Sequence, residues 1–94
     1  GRMGGEEFAL IFPEAPLATA AAFCEGVRVA IGNADWDKLT PGMKVTVSIG
    51  VAAGDGMRPT GELMQLADSR LYLAKAGGRD RVVAEEPLAS RHAG

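Results

Sequence analysis

The chain has 94 residues, a formal net charge of −2 and 47% hydrophobic residues, which is enough apolar material for one small globular domain. The slight negative charge gives no electrostatic reason to expect a nucleic acid or an anionic membrane as a partner. A single cysteine, Cys24, excludes a disulfide framework, and neither a membrane-spanning apolar run nor a signal peptide is recognisable, so we expect a cytoplasmic protein with Cys24 in its core.

The stretch Gly4-Gly5-Glu6-Glu7-Phe8 near the start combines two glycines with two carboxylates. Glycine allows a tight turn and a close approach of the backbone to a ligand, and paired carboxylates can hold a hard divalent cation. These residues therefore fit a site for a metal-bound phosphate. Taken alone, they fit better an ordinary hairpin with a Gly-Gly turn and solvated glutamates.

Strands and helices alternate in the rest of the chain. The apolar run Phe8 to Phe12 predicts a buried strand that ends at Pro13, and a helix follows with apolar residues at helical spacing from Leu17 to Ile31. A polar loop carries Trp36, which we expect to be pinned on the core. Met43 to Ala53 alternates strictly, which predicts a strand with one buried face.

A second helix is predicted to begin at a Thr60 N-cap and to end at Gly77-Gly78, before a short strand over Arg81 to Val83. Lys75 and Arg79 lie four residues apart around the end of this helix. Two such cations can grip one anionic group, or they can simply complement the helix C-terminus. The element order predicts an α/β fold with helices on one side of a sheet. Arg70 and Arg81 are interpreted as surface charges, and His92 as a solvated tail residue.

Three blocks in this order resemble the GGDEF family of diguanylate cyclase domains. They are the GGEEF form of the signature within Arg2 to Ile11, a central strand at Val45 to Ala52, and the last helix and turn at Ala67 to Val82. The resemblance covers residues 1–83, and residues 84–94 form a tail that we expect to be poorly ordered.

The resemblance implies a palm-like fold shared with adenylate cyclases, in which helices flank a central mixed sheet with antiparallel pairs. It also implies that this chain is the C-terminal portion of the domain. The missing N-terminal half would carry a metal-binding aspartate, the residues that read guanine and the Arg-x-x-Asp of a product-inhibition site. A second arginine of that inhibitory site would fall near Gly26, so feedback inhibition is in doubt.

Family members condense two GTP molecules into cyclic di-GMP, as homodimers, with Mg²⁺ or Mn²⁺, and commonly under an upstream sensor or regulatory domain. By resemblance, Glu6 and Glu7 are the catalytic and metal-binding acids, with Glu6 nearest the reacting hydroxyl. The residues that the resemblance assigns to the nucleotide phosphates are Gly4, Gly5, Lys75 and Arg79.

Two other functions stay open on the sequence alone. The chain could belong to a GGDEF-like regulatory module that binds a nucleotide without turnover, or it could be a structural α/β fragment without a ligand. For the isolated chain we expect no catalysis. We also expect its two longer strands to lack a neighbour unless another copy or the missing half completes the sheet.

Overall fold

A computed structural model describes residues 2–85 of the chain, which form two helices, three strands and one short 3₁₀ turn. In chain order the elements are β1 (Arg2–Phe12), α1 (Leu17–Asn33), the 3₁₀ turn (Trp36–Lys38), β2 (Met43–Ala53), α2 (Thr60–Ala76) and β3 (Val82–Val83). The predicted element order is confirmed, as is the α/β class of a palm-like fragment.

The strands form one sheet in the order β1-β2-β3, and both pairings are parallel. Strand β1 pairs with β2 over its whole length, from Arg2 opposite Met43 to Phe12 opposite Ala53. The expectation that these two strands lack a neighbour is therefore wrong for β2, which has a partner on each side, whereas β1 is paired on one side only among the described strands. The antiparallel pairs that the resemblance implies for the complete sheet are not among these three strands, because a helix between successive strands returns the chain to the same end of the sheet.

The two helices cover opposite faces of the sheet, so the expectation of helices on one side is wrong. Helix α1 packs Ala20 and Cys24 against the odd-numbered residues of β2, whereas α2 packs Leu63 and Ala67 against Ala52. Both faces of β2 are buried from Val47 to Ala52. The second buried face escaped the sequence analysis because its residues are small or polar rather than large and apolar.

Gly50 explains how α2 comes so near to the sheet. A Cβ at this position would lie 2.7 Å from the Leu71 Cα, and still closer to the Ala67 carbonyl oxygen and the Leu71 backbone nitrogen. Only a residue without a side chain leaves room for the helix backbone here. The close packing in turn sets the position of the C-terminal end of α2 over the sheet.

The core positions predicted in the helices and in β2 are largely confirmed, but the expectation of a buried strand over Phe8 to Phe12 is wrong, because Phe8 is 44% exposed and the other four residues are only partly buried. Cys24 is fully buried, and burial raises the pKa of its thiol. The Trp36 indole is partly buried and donates a hydrogen bond of 2.7 Å to the Ile31 carbonyl, which holds the loop on the end of α1. Thr60 is the first residue of α2 rather than its cap, since Pro59 takes the N-cap position, and α1 continues through Asn33 without the left-handed cap predicted there.

The glycine pair lies inside a strand and not in a turn. Strand β1 runs without interruption through Gly4 and Gly5, and neither residue is among those with positive φ. The hairpin bend predicted here is wrong, because the ladder with β2 continues past both glycines to Arg2. The outer edge of β1 pairs with no other described strand.

Arg70 covers the edge of β2 that faces away from β1. The interpretation of Arg70 as a surface charge is therefore wrong. Strand β3 has only two residues, opposite Ile49 and Gly50, so the ladder stops before Val51. The Arg70 guanidinium donates a hydrogen bond of 2.8 Å to the Val51 carbonyl, while its buried Nε has no partner among the described residues. An α2 side chain thus takes the place of a strand partner.

Neither described helix is both long enough and apolar enough to cross a membrane. Of the predicted tail, Ala84 is partly buried against the core that includes Cys24 and Ile49, and Glu85 is exposed. Residues 86–94, including His92, lie outside the described residues.

Candidate functional site

Three of the side chains singled out in the sequence converge on one point of the sheet. The Glu7 carboxylate on β1 forms an ion pair with the Lys75 ammonium at 3.4 Å and a close hydrogen-bonded ion pair with the Arg79 guanidinium. Lys75 lies in the last turn of α2, and Arg79 lies in the turn that follows it. The fold therefore brings the C-terminal end of α2 directly over the acidic signature, although 72 residues separate Glu7 from Arg79.

The electrostatics of this cluster favour a charged Glu7. The hydrogen bond from Arg79 is the main cause that holds the pKa of the Glu7 carboxyl below its ordinary value, with a further contribution from Lys75. The side chains are 35%, 38% and 55% exposed for Glu7, Lys75 and Arg79. Because solvent and salt screen ion pairs with this much exposure, another anion can exchange with the carboxylate.

Glu6 and Glu7 project from opposite faces of the sheet, because successive residues of a strand alternate. Glu7 shares its face with Ala9 and Ile11, which pack against α2, whereas Glu6 shares its face with Leu10, which packs on the α1 side. Glu6 is exposed and forms no ion pair with another described side chain. In this arrangement the two predicted catalytic acids do not converge, whereas Glu7 and the two predicted phosphate-binding cations do.

The two glycines leave the backbone of β1 accessible beside these acids. A Cβ at Gly5 would meet nothing within 4 Å, and one at Gly4 would make only ordinary contacts, the nearest with Val45 at 3.6 Å. Gly5 is exposed and Gly4 is partly buried. The predicted approach of phosphates to this backbone is thus sterically open, and the role of the two glycines stays a prediction.

The described part of the chain does not contain a group of three or more His, Cys, Asp or Glu side chains that could cage a metal. Mg²⁺ in nucleotide sites commonly takes one or two carboxylates and completes its shell with phosphate oxygens and water. Glu6 fits that donor set as a single exposed carboxylate. Glu7 as a second ligand stays a prediction, since its carboxylate is engaged by Lys75 and Arg79.

The sequence analysis assigned Arg79 to the site but missed the contacts of Asp80 that hold the turn between α2 and β3. Arg79 and Asp80 both have positive φ, 65° and 47°, directly after Gly78 at 117°. The Asp80 amide donates a 3.0 Å hydrogen bond to the buried Ser48 hydroxyl, and the Asp80 carboxylate accepts a 2.9 Å hydrogen bond from Arg28 of α1. The Gly-Gly pair signalled the end of the helix, but no local pattern indicated a contact 52 residues away.

A separate cavity of about 440 Å³ lies at the C-terminal ends of β1 and β2. Its lining includes the acids Glu14 and Asp55 and the apolar side chains of Pro16 and Leu17. It contains neither Lys75 nor Arg79, and its two carboxylates would repel a phosphate. The two cations that the sequence analysis assigns to phosphates therefore lie at the Glu7 cluster and not in this cavity.

Comparison with known proteins identifies one family over most of the chain. Residues 1–81 match the family model described as diguanylate cyclase, GGDEF domain. The chain is 43% identical over 83 residues to the diguanylate cyclase DgcM of Escherichia coli K12 and 41% identical over 86 residues to the response regulator PleD of Caulobacter vibrioides. A Bacillus subtilis protein, the uncharacterized YhcK, is 41% identical over 88 residues.

These alignments cover 88%, 87% and 90% of the chain but only 20%, 19% and 24% of the respective relatives. The chain thus spans about a fifth of the length of DgcM and PleD. No solved structure matches it. Since the family model matches residues 1–81, which is most of the chain, the chain belongs to the diguanylate cyclase GGDEF family.

Proposed function

We propose that this chain is the later part of a diguanylate cyclase domain that condenses two GTP molecules into cyclic di-GMP in the cytoplasm. The observation that carries the proposal is the meeting of Lys75 and Arg79 at Glu7. Two cations at the end of a helix, beside an accessible glycine backbone and an exposed carboxylate, provide what a metal-bound triphosphate needs. The resemblance assigns the same residues to these roles.

The proposed reaction forms a bond between the 3′-oxygen of one GTP and the α-phosphorus of the other, and it breaks the bond to the β-phosphate. Each step releases one pyrophosphate, and the proton of the attacking hydroxyl passes to solvent. A Mg²⁺ or Mn²⁺ ion would neutralise developing phosphate charge. Glu6 would hold that ion, Gly4 and Gly5 would admit the phosphates to the backbone, and Lys75 and Arg79 would bind the terminal phosphates. Because two nucleotides react with each other, we propose a homodimer as the active form.

Turnover in the full-length protein tests this function directly. GTP and Mg²⁺ should yield cyclic di-GMP, which mass spectrometry identifies, while the isolated 94-residue chain should yield none. Binding of GTP without product would instead favour a regulatory nucleotide-binding module. Absence of both binding and product would favour a structural domain.

We predict that alanine at both Lys75 and Arg79 weakens the binding of a non-hydrolysable GTP analogue by about a hundredfold, because removal of each charge-assisted hydrogen bond should weaken it about tenfold. Both side chains are more than a third exposed, so the thermal unfolding midpoint should stay nearly unchanged. Calorimetric titration measures the affinity. Arg58→Ala is a matched control, because Arg58 is an exposed cation at the other end of α2. Unchanged affinity in the double variant would show that the two residues only complement the C-terminal end of the helix and do not bind the nucleotide.

We predict the opposite effect for Glu7→Gln on the binding of metal-free GTP. The carboxylate occupies the two cations that a triphosphate would use, so its neutralisation should strengthen binding by about threefold at low salt. The gain should shrink as the salt concentration rises, because screening weakens the competition. Titrations of wild type and variant at two ionic strengths measure the effect. Weaker binding at both ionic strengths would show that Glu7 does not compete with phosphate.

A further inference from the structure

The turn that carries Arg79 is held in a conformation that its sequence does not favour. Arg79 and Asp80 both lie in the left-handed region, which non-glycine residues occupy seldom and hardly ever in succession. Aspartate tolerates this region better than arginine does. Strained backbone of this kind persists only where surrounding contacts fix it, and it tends to lie at functional sites. The contacts around Asp80 therefore indicate what fixes Arg79.

Asp80 is fixed from both sides of the sheet. Its backbone amide donates to the Ser48 hydroxyl, which belongs to β2 and is 2% exposed. Its carboxylate accepts from Arg28, which extends from α1 on the other face. Two hydrogen bonds of 2.7 Å to Glu25 orient the Arg28 guanidinium. The group that donates to Asp80 is therefore itself held in place.

The backbone of Arg79, next to Asp80, is also held by hydrogen bonds. The Arg79 amide donates a 2.9 Å hydrogen bond to the Ala74 carbonyl, and the Arg79 carbonyl accepts a 2.9 Å bond from the Arg81 side chain. Gly78, at φ 117°, supplies the backbone reversal that directs the next residue back over β1. With both backbone groups bound, the direction of the Arg79 side chain depends on the left-handed pair.

We propose that Asp80 and Arg28 are positioning residues that hold Arg79 over the signature strand for binding of the terminal phosphates of a nucleoside triphosphate. This inference rests on the proposed function for the identity of the ligand. It predicts that a residue of α1, on the far side of the sheet from Glu7, controls triphosphate affinity through Arg79. Neither Asp80 nor Arg28 touches the nucleotide.

Nucleotide affinities of the full-length protein test this inference. Asp80→Ala and Arg28→Gln should each weaken binding of GTP about tenfold, the effect of removing one charge-assisted hydrogen bond, and should leave binding of GMP unchanged. Asp80→Asn should largely preserve GTP affinity, because asparagine adopts the left-handed conformation and keeps an acceptor for Arg28. Asp35→Asn, which removes a carboxylate from an exposed ion pair with Lys38, is the matched control and should change neither affinity.

A double-mutant cycle separates positioning from a general structural effect. In an Arg79→Ala background, Arg28→Gln should cause no further loss of GTP affinity, because the side chain that it positions is gone. An equal loss in both backgrounds, or a parallel loss of GMP affinity, would overturn the proposal. Unchanged GTP affinity in Asp80→Ala and Arg28→Gln would overturn it as well.

A measurement without ligand keeps the inference distinct from the proposed function. Hydrogen exchange of the Asp80 amide, which is bonded to Ser48, should be about tenfold faster in Arg28→Gln and unchanged in Asp35→Asn. If the wild type binds no GTP, the proposed function fails, and faster exchange then still supports the positioning of the turn. Equal exchange in wild type and Arg28→Gln would overturn the positioning, whatever the ligand.

Discussion

Glu6→Gln should reduce cyclic di-GMP production by the full-length protein at least about a hundredfold, since loss of a direct metal ligand should exceed the 10–100-fold effect of losing an outer-shell partner. The exposed carboxylate is the only described acid of the signature that is not held by a cation. Glutamine keeps the shape of the side chain and removes the charge that Mg²⁺ requires. Product formation from GTP, followed by chromatography at saturating Mg²⁺, measures the effect.

Glu14→Gln provides the control for Glu6→Gln. Glu14 is an exposed acid just beyond the end of β1, outside the signature, and its replacement should leave turnover unchanged. The thermal midpoints of both variants should match that of the wild type. Equal turnover by Glu6→Gln and the wild type would show that Glu6 is not a ligand of the metal.

Gly50→Ala should destabilise the fold by about 3 kcal/mol or more, at the upper end of what overpacking costs in a closed interior. The new methyl group would meet the backbone of α2 at Ala67 and Leu71, and backbone cannot turn aside as a flexible side chain can. Separation of α2 from the sheet would also withdraw Lys75 from Glu7. Urea denaturation measures the loss of stability, and nucleotide affinity should fall with it.

Gly26→Ala is the matched control for Gly50→Ala. Gly26 lies in the middle of α1, and a Cβ there would meet nothing within 4 Å. Alanine at this position should therefore stabilise the protein by about 1 kcal/mol, the helix propensity difference. If both substitutions changed the stability equally, close approach at Gly50 would not be what positions α2.

Periodicity was sufficient to predict the order and type of the elements, because the apolar positions of α1 and β2 repeat regularly. It was insufficient for the second face of β2, where Ser48, Gly50 and Ala52 look like a solvated face. Small side chains admit a helix backbone at close range, and a hydrophobicity pattern does not distinguish that from exposure to water. The parallel pairing of β1 with β2 also depended on tertiary packing rather than on local sequence.

The candidate site was predictable as a set of residues but not as an arrangement. Residue types and spacing alone left a structural interpretation open for the signature stretch and for the pair Lys75 and Arg79, and the resemblance to the GGDEF family favoured a nucleotide site. Their grouping was not predictable, because alternation along β1 separates Glu6 from Glu7 and places only Glu7 below α2. The support from Arg28 to Asp80 depends on residues far apart in sequence, so no local pattern indicated it.

The hydrogen bond from Arg70 to the Val51 carbonyl bears on whether another strand can pair with this edge of β2. Exposed strand edges offer unpaired backbone groups to other chains and can seed aggregates. Beyond the end of β3, a strand from another molecule could pair with β2 only by displacing the Arg70 guanidinium from the Val51 carbonyl. The backbone of that strand would then lie next to the displaced positive charge. Arg70 therefore acts as a gatekeeper at this edge, and its loss should matter for solubility during expression rather than for nucleotide chemistry.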